Sequence, residues 1–155
     1  MAMMIAGVPW RQDFRLSFGG ERVMNIRSKD EQILRKMIAD WSAAARRRDY
    51  DGVLAHHAAD ILMFDVPLPF QSEGLGAYRK TWDLFFGTMA DPPTFDFSDV
   101  RVTVGTDLAF ATAHGKCLSR EKDGVTEVHF RPTMRFEKRD DAWVIVHEHH
   151  SEPAT

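Results

Sequence analysis

The chain has 155 residues, a formal charge of −3 and a single cysteine. That length suits one domain with a real core, and 44% hydrophobic with 28% charged residues excludes a disordered chain. The acidic balance gives no electrostatic ground for a nucleic acid or acidic lipid as partner, and no apolar run is long enough to span a bilayer.

Cys117 alone cannot close an intrachain disulfide, which fits a reducing cytoplasm. Residues 1–27 show no clear period and are broken by Pro9, Gly19 and Gly20, so they read as an extension, an arm on the domain or on a second subunit. Residues 28–153 read as a single domain.

A first helix is predicted from Ser28. Ser28-Lys29-Asp30-Glu31 fits a capping box, and Ile33, Leu34, Met37, Ile38, Trp41 and Ala45 form one apolar stripe at helical spacing. Arg46-Arg47-Arg48 suits a helix C-terminus, where cations meet the negative end of the dipole. Asp49-Tyr50-Asp51-Gly52 then caps a second helix over about residues 50–58, with His56 and His57 at its end in a structural role. A short strand over 61–64 ends at Asp65, because Pro67 and Pro69 cannot continue it. The third helix, 73–88, carries Leu75, Tyr78, Trp82, Phe85 and Phe86 and is stopped by Asp91-Pro92-Pro93. Everything beyond reads as strand: 94–104, 108–120, 126–138 and 142–151, with polar turns between.

Helices first and strands last imply α+β: three helices on a strongly curved antiparallel sheet, a cone enclosing an apolar cavity. The last hairpin places unusual chemistry on that sheet. By strand alternation Trp143, Ile145, His147 and His149 share one face. On the partner strand Arg131 and Thr133 share a face, opposite Phe130, Met134 and Phe136. Trp143 and Ile145 belong on the helix-covered side, which brings His147, His149, Arg131 and Thr133 to the cavity. A one-residue bulge would exchange the two histidines for Glu148 and His150. An outward apolar row of Phe130, Met134 and Phe136 implies a homodimer, since such a face is costly in water.

The order of elements, with Trp143-x-Ile145-x-His147-Glu148-His149-x-Ser151-x-Pro153 at the end, resembles the SnoaL-like branch of the NTF2-like superfamily. Ketosteroid isomerases, polyketide cyclases and scytalone dehydratase share that fold. The resemblance covers residues 29–153 and implies a carboxylate base at Asp65, reached by matching Asp49-Tyr50-Asp51-Gly52. The tyrosine that donates to the oxyanion in ketosteroid isomerase falls on Trp41. Its protonated acid falls near Pro132 or Thr133, which carry no carboxyl group. The base is kept and both oxyanion donors are lost.

The expected site therefore has Asp65, His147 and His149 as catalytic groups. Asp65 sits beside Phe64, Val66 and Pro67, where a carboxylate loses water and becomes a better base. Arg131 and Thr133 would hold an oxyanion, and Trp41, Trp82 and His114 would complete the substrate wall. His147, His149 and Asp65 imitate two histidines and one carboxylate, but the strand spacing is looser than metal sites use, so no metal is expected. Gly74-x-Gly76 lacks the glycine-rich turn of a phosphate loop, so no nucleotide cofactor is expected. These features point to a small-molecule enzyme acting by cofactor-free acid–base chemistry (isomerisation, cyclisation or dehydration) on an apolar carbonyl-containing substrate. The alternative is a ligand-binding or dimerisation domain that uses the same cone without turnover.

Overall fold

The structure is a computed structural model that describes residues 19–154, with side chains described from Ile26 onward. The arm reading of the extension falls mostly outside the described residues. Helix α1 (Gly19–Arg46) is followed by α2 (Tyr50–Leu54), β1 (His57–Phe64), β2 (Ser72–Glu73), α3 (Leu75–Thr88), β3 (Phe95–Val104), β4 (Leu108–Glu121), β5 (Gly124–Arg139) and β6 (Ala142–Ser151). Six strands form one sheet in the order β2-β1-β6-β5-β4-β3. Among the described residues only the β1–β6 pair is parallel. Three helices pack on one face of this curved sheet, the α+β cone read from the sequence.

Two helix boundaries differ from that reading. α1 begins nine residues before Ser28 (28 − 19), so the capping-box residues lie inside the helix. Beyond Gly20 the chain has no glycine or proline until Gly52, so nothing local stops the helix from extending backward. α2 ends at Leu54 rather than near Ala58, because His56 adopts a φ of 66° and turns the chain into β1. His57 thereby becomes a strand residue.

Trp41 on α1 and Trp82 on α3 bury 98% and 95% of their surface (100 − 2 and 100 − 5) and meet edge to face, ring centroids 5.8 Å apart. Both face the sheet, as their helical stripes require. The Ser42 hydroxyl donates to the Phe95 carbonyl at 2.6 Å, and Arg46 bridges to Asp96 at 2.7 Å, fixing α1 across β3. At the centre of the sheet, Phe130 lies across Gly115. A Cβ there would come within 2.4 Å of the ring, so β4 needs glycine for the aromatic to lie flat.

Asp30, freed from capping, accepts a hydrogen bond from Lys138 Nζ at 2.9 Å and ties α1 to the end of β5. Burial pushes its carboxyl up. The Lys138 hydrogen bond and charge, with a looser approach of the Trp143 indole N–H, outweigh burial and hold it below the ordinary value. A carboxyl depressed by folding stabilises the fold above its unfolded value and loses that contribution as pH falls. Asp30→Asn is expected to lower stability at pH 7 by about 2 kcal/mol. At about pH 3, where the unfolded carboxyl is mostly protonated, the loss should be smaller; urea unfolding at both pH values checks this.

β6 decides which side chains enter the cone. Phe136 pairs with Ile145, but Arg135 pairs with His147, leaving Val146 as an extra residue. Ile145 and Val146 are both buried, at 1% and 4% exposure. After this bulge the alternation is reversed. Glu148 and His150 point inward with Trp143 and Ile145, while His147 and His149 point outward. On β5, Phe130, Met134 and Phe136 belong to the core beneath the helices, so they offer no outward apolar face to a second copy.

Candidate active site

Between α3, the sheet and the loop after β1 lies a cavity of about 470 Å³, large enough for a drug-sized molecule. Trp82, Phe85, Phe95, Phe130 and Val128 form apolar walls, and Val66, Pro67, Leu68 and Pro69 form one lip. The polar groups that reach it include Asp65, His150, Glu152, Ser119 and Cys117. Asp65 is placed by the end of β1, and its Oδ1 accepts the Val66 N–H at 2.9 Å. The same oxygen stands 3.4 Å from Nδ1 of His150, whose side chain is only 10% exposed.

Behind His150 runs a fully buried polar chain. Its Nε2 is 3.5 Å from Glu148 Oε2, and among the described residues neither atom has a hydrogen-bond partner. Glu148 Oε1 lies 2.6 Å from His57 Nε2 and accepts the Tyr78 hydroxyl at 2.9 Å. His57 Nδ1 donates to the Ala55 carbonyl at 3.0 Å. With Nδ1 committed as donor, the 2.6 Å contact requires one proton on the His57–Glu148 axis, on nitrogen or on oxygen. An unprotonated imidazole nitrogen facing a bare carboxylate would be repulsive. Burial, then the Glu148 charge, push the Tyr78 hydroxyl well above its ordinary value, against the opposing approach of the Trp82 indole N–H. Tyr78 is thus a fixed donor.

The expected site residues separate into two groups. Asp65 and Trp82 line the cavity. Trp41 is one layer behind, stacked against Phe97 with centroids 5.3 Å apart. His147 and His149 are corrected to the outer face, where His147 Nδ1 donates to the Leu62 carbonyl at 2.8 Å. Arg131 and Thr133 are also on that face, because Phe130, Pro132 and Met134 of the same strand point inward. Thr133 pairs with His149 there, and exposed His114 shares the same face. These residues do come together, but on the side of the sheet away from Asp65. The two-histidine, one-carboxylate set therefore does not assemble, since the sheet lies between its members.

Glu148 and His150 are the pair that the one-residue bulge exchanges for His147 and His149, whereas His57, Tyr78 and Glu152 have no place in the expected site. The alternating Glu148-x-His150-x-Glu152 is visible in the sequence, but the apolar run Val144-Ile145-Val146 leaves the parity of the residues after it undecided. Nothing local marks His57, whose partner is 91 residues away.

Burial and the nearby Glu152 charge push the Cys117 thiol up to about 11. At pH 8 that leaves about a hundredfold less thiolate than an ordinary cysteine. Iodoacetamide labelling of the folded protein is expected to be slower than that of the urea-unfolded chain by at least about a hundredfold. A ligand in the cavity should slow it further.

A family model described as the SnoaL-like domain matches residues 34–155. A crystal structure of an NTF2-like protein of unknown function from Pseudomonas putida KT2440 is 29% identical, with a TM-score of 0.74, covering 83% of this chain and 89% of that one. An NTF2-like protein with a cystatin-like fold from Novosphingobium aromaticivorans is 17% identical, TM-score 0.76, covering 89% and 91%. A ketosteroid isomerase-like protein from Erwinia carotovora atroseptica is 17% identical, TM-score 0.65, covering 78% and 94%. No curated protein matches this chain. Among the described residues no helix is long and apolar enough to cross a membrane.

Proposed function

We propose that this chain, which belongs to the SnoaL-like family, is a small-molecule enzyme using cofactor-free acid–base chemistry on an apolar carbonyl-containing substrate. The reaction is an isomerisation, cyclisation or dehydration, each of which begins with proton transfer next to a carbonyl. One observation carries this reading: Asp65 and His150 meet at 3.4 Å on the wall of a mostly apolar cavity. Asp65 is 22% exposed on its side chain, so it is partly dehydrated yet reachable.

A substrate carbonyl docked against this pair meets a proton acceptor in Asp65 and an N–H donor in His150. Asp65 removes the proton next to the carbonyl, and His150 supplies one to the oxygen. Glu148 backs His150 from the far side and steadies its ring. Arg131 and Thr133 take no part, because they lie on the other face of the sheet. The test is proton exchange in D2O, followed by NMR over a panel of apolar cyclic ketones. Wild-type protein should accelerate loss of the α-proton signal of at least one of them. If the whole panel exchanges at the buffer rate while ketones still bind, the cavity holds ligands without turnover.

A further inference from the structure

The charge pattern of the cavity goes beyond what proton transfer needs. Among the described residues no lysine or arginine lines it. Its charged groups are the carboxylates of Asp65 and Glu152, with His150 between them in the chain. Glu152, just past the end of β6 and two residues after His150, lines the cavity at an exposed position. Among the described residues Glu152 makes no ion pair, and the one charged-group contact of Asp65 is His150. The Glu152 charge is felt inside the cavity, where it helps to raise the Cys117 thiol. The rings of Trp82, Phe85, Phe95 and Phe130 line the same cavity. Aromatic faces are negative at their centres and attract cations.

We infer that the cavity selects a cationic ligand: an apolar molecule bearing a protonated amine, held between Glu152 and the aromatic wall. The inference rests on the proposed role of this cavity and narrows its substrate class to an amino ketone rather than a keto acid. An anionic ligand would meet two carboxylates and no cation, and would have to give up its hydration without return. A neutral ligand fits but gains nothing from Glu152. An ammonium group held at Glu152 leaves the Asp65–His150 pair free to meet a carbonyl.

The test is isothermal titration with three probes of one skeleton: 2-naphthylmethylamine, 2-naphthylmethanol and 2-naphthoate, at about neutral pH, where the amine is protonated. The amine is expected to bind roughly tenfold tighter than the alcohol, and the carboxylate more weakly than either. Glu152→Gln removes the charge at an exposed position, so the fold is retained. It should cut the amine preference to about threefold or less while leaving the alcohol affinity unchanged. Added salt should weaken the amine and not the alcohol. An alcohol or carboxylate that binds as tightly as the amine would overturn the inference and leave the acid–base reading standing. So would an amine preference that survives Glu152→Gln. Failure of all three probes to bind at millimolar concentration would also overturn the inference, while the acid–base reading stands or falls on the ketone exchange test.

Discussion

Asp65→Asn is expected to reduce α-proton exchange of a responsive ketone by about 10²–10⁴-fold, the usual contribution of a positioned general base. Asparagine keeps the shape, and its carbonyl oxygen can still accept the Val66 N–H that Asp65 Oδ1 accepts now at 2.9 Å. The amide cannot take a proton, so binding of the ketone should change far less than its turnover. His150→Gln is expected to act on the same step, because His150 Nδ1 faces Asp65 Oδ1. The double variant should lose little more than the worse single one, since the two groups act as a unit. His147→Gln and His149→Gln, on the outer face, should leave exchange within about twofold of wild type. If Asp65→Asn exchanged at the wild-type rate while His149→Gln did not, the outer face would be the site.

Glu148→Ala is expected to cost about 3–5 kcal/mol of stability, the usual result of removing one member of a buried charged network. Glu148 is 0% exposed and contacts His57, Tyr78 and His150. Its removal leaves the shared proton of His57 without an acceptor and a void among three rings. For a domain of this size the melting temperature should fall by roughly 6–20 °C. Glu148→Gln keeps the volume and can still pair with His57 and Tyr78, so its loss should stay below about 2 kcal/mol. Calorimetry of the two variants separates them. Equal losses would mean that the carboxylate's proton-sharing contact, and not the volume it fills, is what Glu148 supplies.

The helices and the class of fold were legible because their signals are local. The stripe of Leu34, Met37, Ile38 and Trp41 has one period and one possible burial direction, and all four are buried at 5% exposure or less. The long strands were equally plain, each bounded by polar turns such as Asp140-Asp141, both at positive φ. The strand end at Asp65 is local too, since the prolines after it stop β1, while the choice of Asp65 as a base comes from the family resemblance. The capping box at Ser28 misled because a local stop signal does not operate when the residues before it can also be helical.

What the sequence by itself determined is therefore the set of elements, their order and the apolar stripe of each. Those arise from short-range sterics and periodicity. Which histidine faces the cavity was decided only by tertiary structure. Val144, Ile145 and Val146 are all apolar, so either alternation satisfies the local pattern. The choice fell to packing: the core accepts both Ile145 and Val146, the strand bulges between His147 and Ile145, and every later side chain changes face. The same register brings Glu148 to His57 and Tyr78, across 91 and 70 residues of chain. A buried carboxylate is tolerable only where such partners converge, and no window of sequence shows that convergence.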